Sequence, residues 1–294
     1  MKAVWAQDYD FMTHGGGAQL TDRSHYVEGL KRGHKLSIWS PGSGIGAGDI
    51  SGLVIASNPV FLGVEVFDEL SSKRVPYIWL LHDYWPMCKY RLFFPMIEKC
   101  MTCYLKERWI PVLLRSKLIV WLSPLHRESW LAIAPELKDM PYHLAPSPIN
   151  EDLFNDRGIG SRHGAVAVES LAEFKGRAYV LKWAEEHSEV DLDFVGENPI
   201  PGEALPSNCR VLGPIPYWRM PDVYNDHEFF VHLPQSPSPF DRSVAEAYLC
   251  GCSIIGNTLI GALSYPWFRS RDEVAKRCGG SPGEFWDAVE RVAI

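Results

Sequence analysis

Several residues of this chain have the type and placement to handle a proton or an anion. His82-Asp83 follows the apolar run Val75 to Leu81. An imidazole titrates near neutrality and a neighbouring carboxylate can orient it, so such a pair suits acid–base work. The alternative is a histidine that caps or packs beneath Tyr84 and Trp85. Lys175-Gly176 opens a helical pattern that runs to about Glu186. A cation at a helix start opposes the helix dipole, so it makes sense beside a bound phosphate; otherwise it is a solvated surface lysine. Glu246 lies on a helix that Asp241 or Ser243 is placed to cap and that ends near Gly251. A carboxylate there accepts from hydroxyls while the free N–H groups of the first turn face an anion. In HGGGAQL (His14 to Leu20), Gly16 and Gly17 bring bare backbone to a turn, which either approaches a phosphate or is simply tight.

The elements that must position these residues alternate between strand and helix. Lys2 to Ala6, Lys35 to Trp39, Leu53 to Ala56, Val75 to Leu81, Lys117 to Ser123 and Tyr142 to Ala145 read as strands. After Pro146 and Pro148 the alternation restarts with strands at Gly164 to Val168, Leu192 to Val195, Val211 to Gly213, Phe229 to Leu233 and Ser253 to Gly256. Strand–helix–strand units make parallel sheets, whose ligands bind at the carboxyl ends of the strands. Two doubly wound domains are expected, 1–148 and 149–294, with an amphipathic helix from Pro282 to Ile294 at the end.

Other signals weaken on inspection. Gly42, Gly44, Gly46 and Gly48 mimic a dinucleotide fingerprint, but Asp49 leads straight into a strand, and without a helix there is no anion site. Cys88, Cys100 and Cys103 with His82 supply ligand types that zinc accepts, yet the spacing fits no standard finger, so buried or incidental thiols are the expectation and no metal is assigned. Phe93, Phe94, Met96 and Trp109 read as core packing or as an acceptor or membrane-contacting surface.

The 294 residues carry a net charge of −7 with 46% apolar content, which fits a folded chain and gives no electrostatic footprint for nucleic acid or anionic membrane. Seven cysteines in this length do not form a disulfide framework, and the start MKAVWAQDYDF has no apolar leader core, so a reducing cytoplasm is expected.

The linked landmarks resemble the GT-B glycosyltransferases, in particular the large retaining family four. That family shows strand, Gly-Gly-Ala-Glu/Gln, helix, Arg-Gly-His, strand; here Gly16-Gly17-Ala18-Gln19 and Arg32-Gly33-His34 match. Its Glu-x-Phe-Gly, Glu-Ala, Cys-Gly series is matched by Ser238-Pro239-Phe240-Asp241, Glu246-Ala247 and Cys250-Gly251, and a subgroup has the His-Asp-Tyr-Trp phrase. The resemblance implies an α/β GT-B-like fold, two Rossmann-type domains with parallel sheets facing across a cleft. It implies sugar transfer from a nucleotide-sugar to an acceptor hydroxyl with retention, without a metal or other cofactor.

By the same resemblance Gly16 and Gly17 line the donor diphosphate, Lys175 neutralises it, Glu246 holds ribose hydroxyls, Ser238 lies by the donor sugar, Phe240 and Arg242 belong to the donor-binding set, and Ile215 lies by the base. His82 faces the reacting sugar and Asp83 the acceptor side. This chain departs from the pattern at Ser170, where the family has arginine, and at Ser238, where it has glutamate; Arg242 or Arg177 is placed to compensate for the lost cation. Those departures motivate a rival, a degenerate GT-B protein that binds nucleotide or sugar without transfer. A nucleotide-sugar epimerase on the same fold is a second rival. The acceptor class is open.

Overall fold

The apolar runs form parallel strands in two sheets. The computed structural model describes residues 1–13, 15–88, 104–169, 175–197 and 204–293. In the first sheet, strands β1 (Lys2–Ala6), β2 (Lys35–Trp39), β3 (Leu53–Ser57), β4 (Tyr77–Leu80), β5 (Ile119–Trp121) and β6 (Tyr142–Leu144) lie in the order β2-β1-β3-β4-β5-β6. In the second, β7 (His163–Val168), β8 (Leu192–Val195), β9 (Cys209–Gly213), β10 (His227–His232) and β11 (Ser253–Gly256) lie in the order β11-β10-β7-β8-β9. Every named pair is parallel. Strands β3 and β4 are buried along their whole length, as parallel strands covered on both faces must be.

Helices α1 (Gly17–Lys31), α2 (Val64–Ser72), α3 (Tyr104–Leu114) and α4 (Pro124–Ile133) belong to the first sheet. The second has α5 (Arg177–Glu186), α6 (Met220–Asp226) and α7 (Arg242–Leu249), and α8 (Arg271–Ala293) ends the chain. The start of α4 shows the local logic: Ser123 accepts from the His126 N–H and Pro124 occupies the first turn, where its missing donor costs nothing. Gly42 to Gly48 open no α-helix; a short 3-10 turn (Ala47–Asp49) precedes β3.

The chain divides into two compact units, Met1–Pro148 with Gly280–Ile294, and Ile149–Gly279. The expected second domain of 149–294 is therefore corrected at its end: residues 280–293 complete the first unit. The reason is aromatic. Trp5 sits 5.8 Å from Phe285 and 6.5 Å from Trp286, ring centre to ring centre, and Phe285 stacks on His25 at 4.4 Å. Trp286 Nε1 donates to the His25 carbonyl at 2.7 Å. Gly29 makes room, since a Cβ there would stand 2.3 Å from the Trp286 ring. Arg32 and His34 of the Arg-Gly-His phrase serve the same contact: Arg32 reaches Asp287 at 2.7 Å and His34 reaches Glu290 at 2.9 Å. The helix is also longer than expected, running unbroken through Gly279, Gly280 and Pro282. Among the described residues no helix is long and apolar enough to cross a membrane.

Candidate functional site

In an open parallel sheet, a crevice forms at the carboxyl ends of two adjacent strands whose connections leave in opposite directions. The strand orders place one such switch point between β1 and β3 and another between β10 and β7. Several of the residues that drew attention in the sequence lie at these two places.

In the second unit, Lys175 follows β7 and the 233–241 loop follows β10. Gly176 fixes the approach: it is left-handed, with φ +92°, and a Cβ would fall 1.8 Å from the Leu233 carbonyl oxygen. Only glycine fits so close to the end of β10. Lys175 is half-buried, and its charge reaches Asp241. Asp241 occupies the cap position of α7 but does not cap it; the residue is left-handed, with φ +67°. Its carboxylate instead accepts from the Ser238 hydroxyl and lies 3.2 Å from His232 Nε2. Burial pushes the Asp241 carboxyl up, but His232, Lys175 and Ser238 together hold it below the usual range, so it is an anion.

One turn into α7, Glu246 is 4% exposed. Tyr217 donates its hydroxyl to Glu246 Oε1 at 2.8 Å, and Arg242 Nη2 lies 3.3 Å from the same oxygen. Arg242 also donates to the Tyr217 oxygen at 3.1 Å. Burial pushes the Glu246 carboxyl up, opposed by Arg242 and the Tyr217 bond. Burial lowers the Arg242 guanidinium, but Glu246 and Tyr217 outweigh it and raise the group overall. Tyr217 rises for burial first and for the Glu246 charge second. This Tyr–Arg–Glu cluster is held together by hydrogen bonds and charge, and its chemistry is recognition.

The other second-unit candidates have separate placements. Ser238 ties the loop down, accepting from Gly261 N–H at 3.4 Å beside its backbone bond to Leu259 O at 2.8 Å. Phe240 is a core residue, 1% exposed, with its ring 6.4 Å from Tyr265. Ile215 is half-buried just before the 3-10 turn (Tyr217–Arg219) that supplies Tyr217. Arg177 is buried in the first turn of α5. Ser170 lies outside the described residues.

In the first unit, Gly16 is the cap position of α1 with no side-chain cap, and Gly17 begins the helix. Behind them, His82 Nε2 stands 2.9 Å from both Asp22 Oδ1 and Ser57 Oγ. Ser57 donates to Asp22 Oδ2 at 2.6 Å, and Gln7 donates to that same oxygen. Gln7 follows β1, Ser57 ends β3, His82 follows β4 and Asp22 lies on α1, so four elements converge at the first switch point. All four side chains are buried. The set contains the residue types of a hydrolytic triad in the wrong arrangement: one imidazole nitrogen meets both the carboxylate and the serine, and the serine proton points to the carboxylate. Nε2 is a donor here, and Ser57 is not an activated nucleophile.

Asp83 has both carboxylate oxygens engaged, by Asn58 Nδ2 at 2.8 Å and by Trp85 N–H at 2.8 Å. Its carbonyl lies 3.2 Å from both His126 Nε2 and Trp130 Nε1. Leu122 N–H reaches His126 Nδ1 at 3.3 Å, and Trp130 Nε1 reaches His126 Nε2 at 3.0 Å. Burial pushes the His126 imidazole down to about 3; the bond to Asp83 opposes this, and His82 adds to it. Cys88 is half-buried, while Cys100 and Cys103, the remainder of the zinc expectation, lie outside the described residues, as do Phe93, Phe94 and Met96. Trp109 is core, 6% exposed.

Sequence reasoning missed Gln7, Asp22, Ser57, Tyr217 and His232. Their common signal is a polar side chain in or just beyond a buried stretch, such as Ser57 at the end of LVIAS.

No protein-family model matches the chain, and no curated protein matches it. Solved structures do match along nearly its whole length. Anabaena HepE, crystallised with UDP, aligns at 14% identity and a TM-score of 0.64 over 99% of this chain and 96% of its own. AviGT4, a glycosyltransferase of avilamycin A biosynthesis, aligns at 11% identity and 0.63 over 99% and 98%. The catalytic domain of starch synthase IV from Arabidopsis thaliana, bound to ADP and acarbose, aligns at 11% identity and 0.64 over 99% and 99%. Two Rossmann-type units with parallel sheets of six and five strands, matched end to end by these structures, give this chain the GT-B fold.

Proposed function

We propose that this protein transfers a sugar from a nucleotide-sugar donor to an acceptor hydroxyl. The observation that carries the reading is the second-unit switch point, where Lys175 after β7 and Glu246 on the helix after β10 arrive at the carboxyl ends of adjacent strands. A cation and a carboxylate beside helix N-termini suit a ligand that carries both a diphosphate and ribose hydroxyls. HepE has been crystallised with UDP and with UDP-glucose, and starch synthase IV with ADP, which supports a ligand of this class.

In this reading Lys175 and the first N–H groups of α5 and α7 hold the diphosphate, and Glu246 accepts from the ribose. As the bond to the sugar breaks, charge grows on the leaving diphosphate, and fixed donors stabilise it without reorganising. With retention, a diphosphate oxygen takes the acceptor's proton on the same face. Gly16 and Gly17 are given a diphosphate contact, Ile215 a base contact and His82 a sugar contact. Ser238 and Arg242 act by holding the loop and Glu246. No resident cofactor enters the scheme.

A second reading has its own support: Glu246 Oε1 is already engaged by Tyr217 and Arg242, as in a protein that binds a donor without turning it over. The test is a thermal-shift series with nucleoside diphosphates and nucleotide-sugars, followed by mass spectrometry of the products. Ligand at a hundred times its Kd adds about 2.7 kcal/mol to stability and raises Tm. Transfer predicts a shift and release of nucleoside diphosphate with a glycosylated or hydrolysed sugar product. A shift without turnover selects the binding protein. No shift with any nucleotide sinks both.

A further inference from the structure

At the amino end of the second sheet, opposite the donor site, His163, Asp193 and His227 come together. His163 begins β7, His227 begins β10, and the two are register partners across the parallel pair; Asp193 is on the neighbouring β8. Their nitrogen and oxygen donor atoms all lie within 4.8 Å of one another, beneath an open pocket of about 320 Å³. Asp193 and His227 are buried and His163 is exposed.

The hydrogen-bond pattern sets an imidazole nitrogen of His227 against a carboxylate oxygen of Asp193. His227 Nδ1 lies 2.7 Å from the Val223 carbonyl, which only accepts, so Nδ1 carries a hydrogen. In the neutral ring Nε2 then presents a lone pair, and it faces Asp193 Oδ2, also an acceptor, at 3.3 Å. An imidazole oriented by a backbone carbonyl at its far nitrogen is the arrangement metal-binding histidines have. The 3.3 Å separation is also what two ligands span across a tetrahedral zinc with bonds of about 2.0–2.1 Å. The exposed His163 ring lies 4.8 Å from that of His227, centre to centre, at an interplanar angle of 37°. Arg210 orients the carboxylate from outside, with Nε 2.9 Å from Oδ1 and Nη2 2.5 Å from Oδ2. Its side chain is 68% exposed and can yield Oδ2 to an ion.

We propose that His163, Asp193 and His227 form a site for one divalent transition-metal ion of the zinc class. Two imidazole nitrogens and a carboxylate oxygen are the ligands, and solvent completes the tetrahedron. The site stands apart from the donor-binding reading and does not depend on it.

Cobalt is the probe. The full-length chain, stripped with a chelator, is titrated with Co²⁺ and followed by visible d–d absorption, and Zn²⁺ is then added. The expected result is bands that saturate at one Co²⁺ per chain and vanish with an equivalent of Zn²⁺. His163→Gln, at an exposed position that leaves the fold intact by circular dichroism, lowers cobalt affinity about tenfold or more. Absence of the bands overturns the site. Bands unchanged in His163→Gln overturn it equally, since they come from other residues.

Discussion

Arg242 and Glu246 stand one helical turn apart on α7, and the guanidinium reaches the carboxylate at 3.3 Å in a site where both are buried. The pair is stable because each charge satisfies the other and Tyr217 bridges them. A buried pair of this kind is costly to break on one side only. A ribose that binds here must therefore use what the pair leaves available on Glu246, where Arg242 and Tyr217 oppose the upward push of burial on the carboxyl.

The first prediction follows for nucleotide binding. Glu246→Gln keeps the shape and an acceptor for Tyr217 but removes the charge, so two charge-assisted bonds to ribose hydroxyls weaken. Affinity for the best nucleoside diphosphate is expected to fall about tenfold to a hundredfold, equivalent to about 1.5–3 kcal/mol. Calorimetry on both proteins decides, and equal affinities remove Glu246 from the donor site.

The second prediction concerns His82. In the proposed transfer it contributes to turnover and not to nucleotide affinity. His82→Ala is expected to lower kcat by about 10²–10³, the cost of one lost transition-state donor, while nucleoside diphosphate affinity stays within about twofold. Loss of affinity in step with kcat instead assigns His82 to maintaining the fold through Asp22 and Ser57.

The third concerns the pH dependence of stability. The folded His126 imidazole titrates at about 3, whereas the unfolded one titrates near 6.5. Between those values the unfolded chain binds the extra proton, so stability is full above about pH 6.5 and declines as pH falls toward 3. This group alone contributes a slope of up to about 1.4 kcal/mol per pH unit. Urea denaturation at a series of pH values from about 7 to 5 shows the slope in the native chain. It flattens in His126→Gln; an unchanged slope assigns the loss to other groups.

The fourth separates packing from helix propensity. Alanine is the better helix former than glycine by about 1 kcal/mol, so on propensity alone Gly29→Ala in α1 stabilises. The Trp286 ring occupies the place of the new methyl, 2.3 Å from where its Cβ would sit, and overpacking costs about 1–3 kcal/mol. A net loss of stability is expected in urea melts. A gain shows that Trp286 moves aside freely.

Much of this was legible in the chain because it is local. The apolar runs ending at Ala6, Leu80 and Val195 mark buried parallel strands by composition alone, and Lys175-Gly176 and Glu246 stand at helix starts that the residues around them announce. The Gln7, Asp22, Ser57 and His82 cluster was not legible, since its members come from four elements and meet only through sheet order. The final helix failed for the opposite reason. Gly279, Gly280, Ser281 and Pro282 predict a break, but Trp286 in the core and the bond from Ser281 Oγ to the Pro146 carbonyl at 2.6 Å override that local preference. His163 and His227 fall just before the strands expected at Gly164 and Phe229, and only register sets them side by side.

The return of residues 280–293 to the first unit has a consequence for biosynthesis. A nascent chain stopped at Pro148 lacks Phe285 and Trp286, so Trp5 and His25 have no aromatic cover. At translation speeds of about 5–20 residues per second, that cover is delayed by about 7–27 seconds, during which the opening sheet is held unfinished on the ribosome. The unit translated first is thus the one whose interior is closed last.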